Sequence, residues 1–193
     1  MDSNIRTMRQ VRSIASEFKT REDGEELRIE GYFAVFNSNY QITADMSESV
    51  APGAFSDTLG DDIRALIDHE TMFVLGRNRA GTLELREDSH GLWGSILINP
   101  NDGDAMNLYS RVQRGDVSQC SFGFDILDEG TEYLADGSIH WTIKKVKLYE
   151  VSVCTFPAYP ETNVQARQAE YEEIKKRSLE VMREELREKL RGI

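Results

Sequence analysis

Residues 147–156 read Lys-Leu-Tyr-Glu-Val-Ser-Val-Cys-Thr-Phe and run on into Pro157-Ala158-Tyr159-Pro160. Valine, tyrosine, threonine and phenylalanine at this density predict a β-strand, and the two prolines close it. Inside the strand stands Glu150. Burying an ionised carboxylate without a partner costs several kcal/mol, so the strand predicts a partner for it. A histidine ring suits that place; Arg64, Arg77 or a lysine would serve as well.

Working outward, segments of the same composition recur at Leu27–Phe36, Arg64–Asp68, Thr82–Arg86, Leu92–Ile98, Val117–Leu127 and Ile139–Val146. Gly, Asn and Asp punctuate them, as in Arg79-Ala80-Gly81, Asn99-Pro100-Asn101 and Ala135-Asp136-Gly137. One helix interrupts the strands. Asp102 or Asp104 can cap it, Ala105, Leu108, Tyr109 and Val112 recur at helical spacing, and Gly115 follows Arg111 and Arg114 as a stop. A shorter helical turn is expected after Pro52-Gly53. Many short strands must close or cover their edges, which predicts a mainly β fold with some helix, built on a closed or strongly curved antiparallel β-barrel.

Three segments are expected along the chain. Residues 1–25 are polar and mixed in charge, 26–160 carry the barrel, and 161–193 are rich in Glu, Arg, Lys and Leu. The last segment predicts a long amphipathic helix with an apolar stripe of Ile174, Val181, Met182, Leu186, Leu190 and Ile193. It would serve as a dimerisation element, a tether or a propeptide.

With 23 basic residues against 34 acidic ones, the net charge of −11 argues against a phosphate backbone or an anionic membrane surface as partner. No stretch approaches the roughly 20 apolar residues of a membrane-spanning helix. The opening residues lack the apolar core of a signal peptide, so a soluble, cytoplasmic protein is expected. Cys120 and Cys154, the only cysteines, show no metal-binding or disulfide spacing and predict reduced core thiols. No metal or cofactor is expected.

Two further polar groups interrupt apolar runs. His69 ends the run Ala65-Leu66-Ile67-Asp68-His69-Glu70, where it is either a hydrogen-bonded strand-end histidine or a proton-transfer group. Ser121 lies in Val117-Ser118-Gln119-Cys120-Ser121-Phe122-Gly123-Phe124, followed by a glycine that lets a peptide backbone come close. A strand serine bonded to a neighbouring carbonyl fits the same residues. Ser118 and Cys120 are rivals, but Cys120 faces away from Ser121 in strand geometry and has no evident cation to lower its pKa.

The set EGYFAVFN (30–37), APGAF (51–55), IDHE (67–70) leading to LGR (75–77), HGLWGSILI (90–98), RGDVSQCSFGF (114–124) and LYEVSVCTFPAYP (148–160) resembles the prohead, or head maturation, protease family of tailed bacteriophages. That family is similar in fold to the herpesvirus assemblin proteases, which implies a β-barrel surrounded by helices. Carried over by motif, the family histidine falls on His69 and its serine on Ser121. In the herpesvirus relatives the third member is a second histidine; the matching place here holds Glu150, and His140 in Ile139-His140-Trp141 is its rival.

The resemblance implies a serine endopeptidase that works through an acyl-enzyme during procapsid maturation, within the assembling shell in the host bacterial cytoplasm. Its substrates would be the scaffolding protein, the major capsid protein and the protease itself, with self-association also implied. Backbone amides of Phe122-Gly123, or of the segment after Phe156, are candidates for holding the oxyanion. A non-enzymatic capsid-assembly or scaffold-binding module is the alternative, and a cysteine hydrolase using Cys120 a third.

Overall fold

The computed structural model describes residues 10–15, 18–23, 26–156 and, in the tail, 171–172, 174–177, 179–184 and 186–187. The chain divides into two compact units, Met1–Tyr159 and Pro160–Ile193. In chain order the first unit contains β1 (Gln10–Ala15), β2 (Lys19–Asp23), β3 (Glu26–Val35), β4 (Tyr40–Thr43), β5 (Met46–Val50), β6 (Arg64–Ile67), β7 (Glu70–Arg77), β8 (Leu83–Glu87), β9 (Gly91–Ile98), helix α1 (Gly103–Arg114), β10 (Gln119–Tyr133) and β11 (Ile139–Cys154).

These strands form two sheets. Four pair antiparallel in the order β2-β3-β9-β8, and seven form a mixed sheet in the order β1-β10-β11-β5-β4, with β6 also on β11 and β7 on β6. The two segments expected at Ile139–Val146 and Lys147–Phe156 are one sixteen-residue strand. Its first part, Ile139–Ile143, takes β5 in parallel, and its last part, Glu150–Val153, takes β6 in parallel.

The expected closed or strongly curved antiparallel barrel surrounded by helices is therefore corrected to two sheets, one of them mixed. The seven-stranded sheet is mixed, the four-stranded sheet makes no ladder with it, and β1, β4 and β7 each pair on one side only among the described strands. Strand composition reports the two-residue alternation of a β-segment but carries no direction, so parallel partners read the same as antiparallel ones. Among the described residues of the first unit, α1 and a 3-10 turn at Asn78–Ala80 are the helical elements. The stretch after Pro52 forms successive tight turns, including Ala54 N–H to the Ala51 carbonyl and Thr58 N–H to that of Phe55.

The long helix expected over 161–193 is also corrected to a short one: the described residues of that segment are helical and lie between 171 and 187, and 157–170 and 188–193 lie outside the described residues. Leu179, Val181, Met182 and Leu186 remain largely exposed. Exposed apolar positions add little to helix propensity, and propensity alone is marginal in water.

Between the sheets of the first unit the core joins Ile29, Phe33, Leu92 and Ile96 from the four-stranded sheet to Phe122, Phe124, Val151 and Val153 from the other. Phe55 stands edge-on to Phe122 at 5.4 Å, and Phe122 stacks on Phe124 at 4.8 Å. Each such ring contributes roughly 1.5–3 kcal/mol by leaving water. Gly94 makes room for this packing: a Cβ there would come within 2.7 Å of the Phe33 ring. Helix α1 begins at Asp102, whose side chain accepts from the amides of Asp104 and Ala105, and ends at Gly115 in the left-handed region, burying Ala105, Leu108, Tyr109 and Val112.

Within the segment 1–25 the described residues form two strands that its composition does not announce. β1 adds antiparallel to the edge of β10, with Ser13 opposite Ser121.

Candidate active site

β6 and β7 form a hairpin in which Ile67 pairs with Glu70, leaving Asp68 and His69 as a two-residue turn. Both have positive φ, 48° and 63°. Such a turn favours Asn-Gly, because a side chain at positive φ crowds its own backbone, and each misplaced residue costs of order 1–3 kcal/mol. The surroundings hold the turn in place. Asp68 N–H donates to the Val153 carbonyl at 3.1 Å. The Asp68 carboxylate accepts from the Thr155 amide at 2.8 Å and the Thr155 hydroxyl at 3.3 Å. The hairpin tip is thereby tied to the end of β11, and His69 is set over that strand.

There the imidazole meets Glu150. His69 Nδ1 lies 2.7 Å from Glu150 Oε1. Glu150 is 2% exposed, whereas the His69 side chain is 25% exposed. An ionised carboxylate only accepts, so the pair places a proton on Nδ1 and leaves the Nε2 lone pair available as a base. Ser152 completes the arrangement. Its hydroxyl donates to Glu150 Oε2 at 2.6 Å and accepts from the His69 backbone N–H at 3.2 Å. Both carboxylate oxygens are thus engaged, which orients the acid as firmly as the ring.

Ser121 stands directly opposite Ser152 in the β10–β11 ladder, and Gly123 opposite Glu150. Directly paired residues share a face of a sheet, so Ser121, Ser152 and Glu150 project to one side, with Cys154 two residues further along. Ser121 is fully buried, and its hydroxyl donates to the Arg12 carbonyl of β1 at 2.8 Å. The structure therefore joins His69 to Glu150 and sets Ser121 beside Ser152, but the Ser121 hydroxyl bonds β1 and not His69.

The neighbour of His69 Nε2 is the Cys154 thiol, at 3.9 Å. Burial pushes this thiol well above its ordinary pKa, and the Asp68 carboxylate adds to the effect, so it is held as the neutral thiol. Cys120 points the other way, into the core, and donates to the Tyr32 carbonyl at 3.1 Å. His140 is engaged elsewhere: Nδ1 lies 2.8 Å from the Ser47 hydroxyl and Nε2 2.9 Å from that of Ser49, both on β5.

The Phe122-Gly123 peptide lies within the ladder between β1 and β11. The segment after Phe156 begins outside the described residues. Among the described residues no group of three or more His, Cys, Asp or Glu side chains is placed to hold a metal ion.

The sequence reading missed Ser152 and the Asp68–Thr155 clamp. The signal for Ser152 was present, since Glu150, Ser152 and Cys154 alternate on one face of a strand. The clamp joins residues 87 positions apart and has no local signature.

The described geometry thus sets a histidine–carboxylate pair and a strand-borne serine on the same face of one sheet, with the serine hydroxyl bonded to β1. A family model described as "Caudovirus prohead serine protease" matches residues 15–177, and the chain belongs to that family. It is similar to the "Prohead protease" of Enterobacteria phage HK97, with 30% identity over 155 residues, covering 78% of this chain and 64% of the relative's length. Its fold is similar to that of the bacteriophage T4 capsid assembly protease gp21, with a TM-score of 0.53 at 11% identity, covering 77% of this chain and 98% of that one.

Proposed function

We propose that the chain is a serine endopeptidase of procapsid maturation, with Ser121 as nucleophile, His69 as general base and acid, and Glu150 as the group that orients His69. The observation that carries this reading is the 2.7 Å contact of His69 Nδ1 with a buried Glu150, which leaves Nε2 as the basic nitrogen on the face where Ser121 lies.

Catalysis would start when the Ser121 hydroxyl leaves the Arg12 carbonyl and turns toward His69. Nε2 takes its proton as Oγ attacks the scissile carbonyl; the imidazolium then gives that proton to the departing amine. Water, activated by the same nitrogen, releases the acyl group. The buried carboxylate stabilises the imidazolium in both halves without itself taking a proton.

The names of the HK97 and T4 relatives support capsid-shell components as substrates. The scaffolding protein, the major capsid protein and the chain itself are the substrates proposed, inside the procapsid in the host cytoplasm. Confinement raises the effective substrate concentration there, so a slow catalyst suffices.

The test is intact-mass spectrometry of the chain co-expressed with its scaffold and capsid proteins. Cleavage is expected with the parent chain and with Cys154→Ala, and none with Ser121→Ala. Cleavage that survives Ser121→Ala but not Cys154→Ala would move the nucleophile to the thiol near Nε2. If no variant cleaves anything, the chain acts as an assembly or scaffold-binding module instead.

A further inference from the structure

The strand that covers Ser121 has three features that an ordinary edge strand lacks. The first is its contact with the proposed nucleophile, whose hydroxyl donates to the backbone carbonyl of Arg12, in an extended segment of the same chain. A peptide awaiting cleavage would present a carbonyl to that hydroxyl in the same extended form.

The second is the side chain of Arg12. Only 6% exposed, it forms a two-pronged ion pair with Glu48 on β5, Nε to Oε1 and Nη2 to Oε2 at 2.9 Å, and its guanidinium lies 5.7 Å from the centre of the Phe124 ring. Glu48 is 2% exposed. A buried ion pair is a poor means of adding stability, because desolvating both charges offsets their attraction. A buried carboxylate that meets one position of an added strand is a good means of selecting what that position carries, because an acidic side chain there would be repelled and a neutral one would forfeit the two-pronged pair.

The third is space. A cleft of about 390 Å³ flanks the strand, with Arg12, Ser13, Asn39, Tyr40 and Glu48 among its walls. It leaves room beside β1 for side chains larger than those now in place.

We propose that β1 is a resident pseudosubstrate: it fills, by strand addition, the edge of β10 where an extended substrate peptide binds, and Glu48 selects arginine or lysine at the register position of Arg12. Strand addition draws affinity from main-chain hydrogen bonds and specificity from pockets for alternate side chains. Here Phe122 and Gly123 on β10 lie opposite Arg12 and Val11 and supply the edge, and Glu48 supplies the pocket. Because β1 is tethered, it competes at an effective concentration in about the millimolar range, and a free peptide must displace it. This inference rests on the endopeptidase reading and adds to it a substrate preference and a latent state.

The experiment uses the full chain with Ser121→Ala, so that binding is read without hydrolysis. A fluorescent peptide copying residues 10–15, Gln-Val-Arg-Ser-Ile-Ala, is titrated into the chain with and without Arg12→Ala, beside a peptide carrying Glu in place of Arg. Removing the Arg12 anchor lowers the occupancy of the site by β1, so the arginine peptide is expected to bind at least about tenfold tighter to Arg12→Ala. The glutamate peptide is expected not to bind, and Glu48→Gln to remove the preference. Amide-exchange protection of β3 and β9 reports that each variant is folded, and Arg12→Lys, which keeps the charge, is expected to remain closed to peptide. Equal affinity with and without the Arg12 anchor, or no preference for arginine over glutamate, overturns the proposal. The two readings fail separately: loss of the peptide preference while the parent chain still cleaves scaffold overturns this inference alone, whereas selective binding by a chain that cleaves nothing overturns the endopeptidase reading alone.

Discussion

Replacing Glu150 by glutamine keeps the shape of the site, removes one charge and forces a choice between two side-chain orientations. The glutamine amide has one oxygen and one NH2 to face two neighbours, His69 Nδ1 at 2.7 Å and the Ser152 hydroxyl at 2.6 Å. With the oxygen toward Nδ1 the tautomer survives, but the imidazolium formed during proton transfer loses the counter-charge of a carboxylate that is only 2% exposed. With the NH2 toward Nδ1 the ring must carry its proton on Nε2, where it can no longer accept one from Ser121. Ser152 favours the first orientation poorly, because its oxygen already accepts the His69 amide at 3.2 Å and would have to accept the NH2 as well, leaving its own proton without a carboxylate. Either outcome removes stabilisation present only in the transition state, and the neutral replacement of a triad acid typically lowers kcat by about 10⁴. At about 1.4 kcal/mol per tenfold, that is roughly 5–6 kcal/mol of lost barrier reduction. The assay is the rate of scaffold cleavage by mass spectrometry, with amide protection of β3 and β9 as the control for folding and ¹⁵N NMR of the imidazole to read the tautomer. A Glu150→Gln chain that retains more than about a tenth of the parent rate would refute the role given to Glu150. So would a parent chain whose neutral ring carries its proton on Nε2.

Two further predictions concern the scaffold. In Gly94→Ala the new Cβ would stand 2.7 Å from Phe33 Cε2 and 2.9 Å from Leu85 Cδ2, so overpacking is expected to destabilise the fold by about 1–3 kcal/mol, read as a lower Tm in calorimetry; an unchanged Tm would show that Phe33 can move aside. At the base of the β6–β7 hairpin, the Arg77 guanidinium holds the Asp62 carboxyl at about 2, below its ordinary 3.8. A depressed carboxylate stabilises the fold above the unfolded pKa and loses that contribution as pH falls through the folded one. Stability is therefore expected to drop between about pH 4 and pH 2, with a shallower drop in Asp62→Asn; identical acid limbs would remove this pair from the account.

Strands β3, β9 and β10, the two halves of β11, the helix with its Asp102 and Gly115 ends, and the three polar side chains set into apolar runs were legible in the sequence, because each is written in local periodicity or in a single residue out of place. The mixed sheet was not. Whether a strand meets its neighbour parallel or antiparallel depends on the path of the connecting chain, and the side-chain alternation is identical either way. β1 has the same origin: Gln10–Ala15 pairs as a strand because β10 offers it an open edge, and six residues of mixed composition do not announce that partner. The site divides along the same line. The need of Glu150 for a partner followed from a carboxylate in a buried strand. The left-handed turn that carries His69, the link through Ser152, the engagement of His140 by two serines and the capture of Ser121 by a carbonyl 109 residues earlier depended on which backbones the fold brings side by side. Local chemistry specifies which groups can react, and long-range packing decides which of them meet and which are held apart.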